Sequence, residues 1–377
     1  MEEELNPFAL NSYFGVEYFC DRENEIKTLL RNIKNRNSTT LISRRRMGKT
    51  LLIQHLFNVL PPKHIGISLD IFSTNSRKEF LDNLSTAIVR NVPEDSSIGK
   101  KIWKFIRSLQ PNISFDPFTG SPQVNINVSP QENDRYIESI FDFLEQQSQR
   151  IVIAIDEFQQ VLTYKEEHTD VWMRTFIQKL NNVVFIFSGS QTHLMTQLFT
   201  DPTRAFYRST KFVHLEKIDP EIYSKFIIKH FRKAKSKMPK AMVNDVLDWT
   251  YGHTYYVQAL CSAIYDNKES EITEDIIKKS KLEILTDEDF LFMKLRGLLS
   301  PQQWKLLISV AKEAKLVKPT SAEFIRKYEL GSSAVVLRSL NALIDKDLVY
   351  FGLTEDSNKF YAVGDVFFER WAQWKFY

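Results

Sequence analysis

Gly48, Lys49 and Thr50 stand between a short apolar run, Thr39 to Ile42, and an amphipathic stretch carrying Leu51, Leu52, Ile53, Leu56, Phe57 and Leu60 up to Pro61. A phosphate site needs converging backbone amides, a helix N-terminus behind them and a lysine that reaches the β and γ oxygens. Strand, loop and helix supply those parts here, so Ser43, Arg44, Arg45, Arg46, Met47, Gly48, Lys49, Thr50 and Leu51 are the expected phosphate cradle. The template GxxxxGK[ST] places glycine where this chain has Ser43, its one departure. A second chemical pair, Asp156 and Glu157, closes the apolar run Ile151 to Ile155. Magnesium on a P-loop threonine needs a carboxylate at a neighbouring strand end, which makes Thr50 and Asp156 the expected metal ligands. Glu157 is placed to orient and polarise an attacking water. Two acids at a buried strand end are costly to desolvate, which favours a use for them over a plain helix cap at Asp156. ATP with Mg2+ is the implied ligand.

The elements that must hold these residues follow from periodicity. A helix is expected from Asp21 to about Asn35, with Asp21 as N-cap, then strands at 39–42 and 64–72 and helices over 77–92 and 98–109. The stretch 112–131 alternates apolar and polar positions about a Phe118-Thr119-Gly120 turn and reads as an inserted hairpin. A helix at 134–147 precedes the strand at 151–156, and VVFIFSGS at 183–190 and KFVHL at 211–215 read as further strands. Continuous rather than alternating apolarity marks strands covered on both faces, hence a parallel α/β sheet. From Pro220 strand signals cease, and helices fit 220–234, 240–251, 254–265 and 273–295. Helices at 301–314, 321–328 and 332–346 followed by strands at 348–353 and 359–363 read as a winged helix. The expected domains are a P-loop domain at 1–216, a helical lid at 217–296 and a winged helix at 297–377.

Composition bounds the rest. With 377 residues, 43% hydrophobic and 26% charged, the chain is a folded multidomain protein, and its net charge of +3 gives no general attraction to nucleic acid or membrane. Cys20 and Cys261, its only cysteines, make neither a disulfide framework nor a metal cluster, and the seven histidines lack paired ligand spacing. A cytoplasmic protein without a membrane span is expected.

FCDRENEI at 19–26, LISRRRMGKTLLI at 41–53, VIAIDEFQQV at 152–161, FIFSGSQTHLM at 185–195, YGHTYYVQAL at 251–260 and YAVGDVFFERW at 361–371 resemble the prokaryotic AAA-type ATPases that lie close to the STAND signalling ATPases. The resemblance implies ATP hydrolysis, with Phe19, Arg22 and Glu23 near the base or the lid interface. It implies a γ-phosphate sensor at the end of the 183–190 strand, Ser188 or Ser190. It also implies an arginine finger, Arg204 or Arg208, reaching a neighbouring copy, although a solvated loop explains those arginines equally. Family members near STAND proteins carry proline where this chain has Thr254, and His253 is the polar residue placed to touch a phosphate.

Two partner readings remain open in the sequence. An ATP-dependent switch would use the winged helix for protein contact or autoinhibition; a DNA-binding initiator or transcription regulator would use it on a duplex. The helix at 332–346 has only Arg338 and Lys346 as basic residues, and the wing carries Glu355 and Asp356 against Lys359, so at most weak DNA contact is expected. A nucleotide-binding scaffold without turnover rests on Ser43 alone. The basic run Lys225 to Lys240 reads as an exposed helix face, and the aromatic tail Phe367 to Tyr377 as packing or a partner surface.

Overall fold

The computed structural model describes residues 6–8, 10, 12–127, 129, 132–354 and 356–376; the expectations for Glu355, Tyr377 and positions 128, 130 and 131 lie outside them. The chain divides into two units, residues 12–216 and residues 217–376 with Asn6, Pro7 and Phe8.

The first unit runs α1 (Glu23–Lys34), β1 (Thr39–Ile42), α2 (Lys49–Asn58), β2 (His64–Asp70), α3 (Arg77–Asn91), α4 (Ser97–Ser108), β3 (Pro111–Phe115), β4 (Pro122–Ile126), α5 (Asn133–Glu145), β5 (Arg150–Asp156), α6 (Thr169–Ile177), β6 (Val183–Ser188), α7 (Thr192–Thr200) and β7 (Lys211–His214). Five strands form one sheet in the order β2-β5-β6-β1-β7, every pair parallel. Alternate side chains of the central strands sort to opposite faces. Ile153, Ile155, Phe185 and Phe187 enter one core with α3 to α7. Val152, Ala154, Val184 and Ile186 enter the other with α1 and α2. Being covered on both faces is what the unbroken apolar runs encode. The order places β1 next to β6, and β6 next to β5, so the loop after β1 opens beside the carboxyl ends that carry Ser188 and Asp156.

The expected hairpin is present as β3 and β4, antiparallel and separate from the main sheet. Helix α3 bonds to the open edges of both sheets. Asn91 exchanges bonds with the Ser68 backbone at 3.4 Å and Asn83 donates to the Asp70 carbonyl at 2.8 Å. On the next helical row, Arg90 donates to Pro122 O, Thr86 accepts from Val124 N and Asp82 from Ile126 N, at 2.9 to 3.0 Å. Side-chain groups thus satisfy main-chain edges that would otherwise pair with another chain.

Asp21 is not the cap of α1. That position belongs to Arg22, and both residues have left-handed backbone (φ 59° and 74°), which turns the Arg22 side chain inward to Glu25. The nine-residue helices α6 and α7 carried no sequence assignment, since two turns give too little periodicity to read.

The second unit contains α8 (Pro220–Lys233), α9 (Lys240–Trp249), α10 (Thr254–Tyr265), α11 (Glu274–Arg296), α12 (Pro301–Glu313), α13 (Ala322–Lys327), α14 (Ser333–Asp345), β8 (Val349–Leu353), β9 (Lys359–Val363) and α15 (Val366–Lys375). Side-chain caps fix the starts of α8 and α12: Asp219 accepts from Glu221 and Ile222, and Ser300 with Gln303 forms a capping box. Phe8 is buried among Phe226, His230, Phe231 and Tyr265. One core joins Tyr256, Leu285 and Phe292 of α10 and α11 to Trp304, Leu340, Phe367 and Trp371. The aromatic tail is therefore the helix α15, with Trp371 fully buried and Trp374 exposed.

Candidate active site

Gly48 has φ 91° and Arg46 φ 64°, so the loop after β1 turns through left-handed backbone at two points before α2 begins at Lys49. Ser43 is not among the left-handed residues, which explains how a serine stands at the template's first glycine without strain. Its hydroxyl donates to the Arg44 carbonyl at 3.0 Å. Lys49 is buried, its ammonium 3.3 Å from Ser43 Oγ and from Arg44 O, folded onto its own loop. Arg45 and Arg46 are exposed, Met47 is buried in the core beneath the loop, and Leu51 is half-buried.

Two strand ends and the start of α2 meet at Asp156. Thr50 donates from Oγ1 to Asp156 Oδ2 at 3.0 Å, Ser188 donates to Oδ1 at 2.7 Å, and the Glu157 amide donates to Oδ1 at 3.1 Å. Thr50 and Asp156 thus present adjacent hard oxygen donors, a set that suits Mg2+. Glu157 has left-handed backbone (φ 55°) and directs its carboxylate to the loop after β6, where Oε2 accepts from Ser190 N at 3.2 Å, Ser190 Oγ at 2.9 Å and Gln159 Nε2. Gly189 lets Gln159 approach at this crossing: a Cβ there would lie 2.0 Å from Gln159 Oε1 and displace that side chain. The two serines therefore differ in partner: Ser188 holds Asp156 and Ser190 holds Glu157.

Sequence reasoning missed two residues. Thr192, the first residue of α7, donates to Ser43 O at 3.0 Å and ties the P-loop to the segment after β6; Gln159 is the other. Neither belongs to a spacing pattern. Asp70 was also unassigned: it stands in register with Asp156, and burial, with Asp156 and Glu157 nearby, raises its carboxyl above the usual range against the opposing bond from Phe72 N.

The remaining candidates lie as follows. Phe19 stacks on His55 of α2 at 4.2 Å, and His55 Nδ1 bonds Tyr13 Oη at 2.7 Å; burial lowers the His55 pKa. Arg22 is buried, with one guanidinium nitrogen on Glu25 at 3.1 Å and the other without a partner among the described residues. Arg204 is 3.8 Å from Asp170 of α6. Arg208 is exposed, with φ 51° and its guanidinium 5.2 Å from the Tyr207 ring. His253 caps α10 in the second unit, buried, its ring 4.9 Å from that of Tyr256.

A P-loop between β1 and a helix, an acid pair at the end of β5 and a polar residue on β6, the strand between β5 and β1, are the parts of a P-loop ATPase domain with an AAA-type sheet. Residues 19–260 match a family of ATPase domains predominantly from Archaea, and residues 290–374 match a probable winged helix domain. The chain belongs to that archaeal-type ATPase family and is an ATPase. It is similar in structure to the Walker-type ATPase of Pyrococcus abyssi (TM-score 0.67, 18% identity, 97% of this chain and 99% of that one). It is also similar to the ORC2 protein of Aeropyrum pernix in its ADP form (TM-score 0.55, 13% identity, 98% and 97%). At such identities the likeness concerns the fold. No curated protein matches the chain. No helix among the described residues is long and apolar enough to cross a membrane.

Proposed function

We propose that this ATPase is a molecular switch in which nucleotide state changes the relation of a helical lid (217–296) to the P-loop domain (1–216), and a winged helix (297–377) passes that state to a protein partner. The observation that carries the reading is the continuous set of bonds from Thr50 through Asp156 to Ser188, with Glu157 held beside it by Ser190. Lys49 exchanges its contacts with Ser43 and Arg44 for the β and γ oxygens of ATP, drawing the loop amides onto the phosphates. Thr50 and Asp156 would hold Mg2+, which would supply charge neutralisation to the phosphates. Glu157 orients the attacking water once its carboxylate turns from Ser190, and Ser188 keeps Asp156 in place. Arg204 or Arg208 serves a neighbouring copy's site, and His253, Phe19 and Arg22 contact nucleotide in the closed state.

The partner half of the reading is supported by the winged helix's surface. Leu337 of α14 and Phe351 and Leu353 of the wing are exposed apolar groups, and Lys359 stands 3.9 Å over the Phe351 ring. Duplex binding needs many cations at one surface. Likeness to ORC2 keeps the initiator reading in view, and duplex affinity at about 150 mM salt separates the two, since loose electrostatic contacts are screened there. Lys49→Ala is expected to abolish ATP binding with the circular dichroism spectrum unchanged; retained affinity removes the P-loop assignment. Glu157→Gln is expected to bind ATP and lose turnover.

A further inference from the structure

The β3–β4 hairpin has no part in the nucleotide site, yet one of its faces lines a cavity of about 800 Å³. Asn112 pairs with Asn125 and Ser114 with Gln123 across the hairpin, so these four side chains share that face. The floor is α3, and the far wall is the carboxyl end of β2, ending at Asp70. Asp82 is held by Lys78, and Arg90 is bonded to Pro122 O. Asp70 accepts from Phe72 N at 2.8 Å and Glu79 from Asn75 N at 2.6 Å, and neither has an ion-pair partner among the described residues, so the β2 side of the groove is negative while Arg90 keeps its charge at the Pro122 end of the hairpin.

This chemistry selects among occupants. Carboxylates without an ion-pair partner repel phosphate, and among the described residues no aromatic side chain lines the groove to stack a base or a sugar ring. Same-face side chains on a strand recur every two residues, roughly 6.8 Å, the period at which an extended chain presents its own same-facing groups. Amide and hydroxyl side chains at that period match alternating carbonyl and N–H groups. We propose that the groove over α3, between the β3–β4 hairpin and the end of β2, docks an extended, basic polypeptide segment of a partner protein. Hairpin strands of five residues accommodate about five residues of it, with a lysine or arginine on Asp70. Ile71 N donates to Asp156 O at 3.2 Å, so a segment seated on Asp70 acts on the strand end that carries the catalytic acids. That regulatory consequence rests on the active-site reading above; the docking itself does not.

The test uses the full chain and a fluorescein-labelled eight-residue peptide of alternating lysine and serine, followed by anisotropy at about 150 mM salt, where weak surface attraction is screened. Saturable binding is expected, weakened at least tenfold by Asp70→Asn and by Gln123→Trp, an exposed groove position whose indole fills the space. Gln123→Trp is expected to keep basal ATPase and urea stability, and Lys49→Ala to keep peptide binding, so failure of the nucleotide site and of the groove are told apart. Absence of saturable binding, equal binding of the glutamate-serine counterpart, or indifference to Gln123→Trp overturns the proposal. So does a single-stranded oligonucleotide that binds through the same residues, which would make the groove a nucleic-acid site.

Discussion

Alanine at Ser188 and at Ser190 should give opposite phenotypes, although only Gly189 separates the two residues. Ser188 is fully buried and its hydroxyl donates at 2.7 Å to Asp156, which keeps only the Glu157 amide on the same oxygen when that hydroxyl is lost. A hydrogen bond to a charged group contributes about 1.5–3 kcal/mol, so Ser188→Ala is expected to weaken the Mg2+ dependence of turnover by roughly 10- to 150-fold. Ser190 instead supplies two of the three donors on Glu157 Oε2, its amide and its hydroxyl, with Gln159 the third. Ser190→Ala leaves the amide and Gln159 in place and frees the carboxylate, so kcat should rise by at most about tenfold, with the Mg2+ dependence unchanged. The assay is steady-state phosphate release over a magnesium series for both variants, with urea denaturation to show that each remains folded. Equal magnesium dependence in the Ser188 variant and the parent would refute the assignment of Ser188 to Asp156. A fall in kcat for Ser190→Ala would show that the bonded orientation of Glu157 is the working one.

Other outcomes follow from burial and titration. Trp371→Ala removes a fully buried indole from the core shared by α10, α11 and α15, and should destabilise the second unit by about 3–5 kcal/mol in urea titration. Deleting residues from Leu298 onward uncovers Tyr256, Leu285 and Phe292, so the truncated chain should bind an apolar dye and aggregate rather than yield a free lid. Burial depresses the His55 pKa, so the unfolded chain binds more protons near its ordinary value of about 6.5. Stability from this group is complete above that pH and declines as pH falls toward the folded value; His55→Gln should flatten that part of the pH–stability curve, and an unchanged slope would contradict the burial argument.

Local chemistry determined much of this protein. Glycine at the left-handed turn, lysine and threonine at a helix start, and acids at the end of an apolar run are adjacent in the chain, so the P-loop and the acid pair were legible without coordinates. Unbroken apolarity at 151–155 and 183–187 likewise announced buried parallel strands, because burial on both faces removes the polar alternation. The hairpin was read from its alternating apolar positions and the winged helix from three helical periods followed by two short strands, whereas α6 and α7 were too short for a period to emerge. The Asp21 cap failed because the side-chain preference of one residue was overridden by the inward turn of its neighbour Arg22. What only the tertiary structure decided are meetings between distant residues: Thr50 with Asp156 at 106 positions' separation, Thr192 with Ser43 at 149, Ser190 with Glu157 at 33. Such pairs depend on strand order, and strand order is set by which apolar faces pack together across the whole sheet. No spacing in the chain encodes that order, so the division of labour between Ser188 and Ser190, the clamp of Gln159 on Glu157 and the groove beside the hairpin became visible only in the fold.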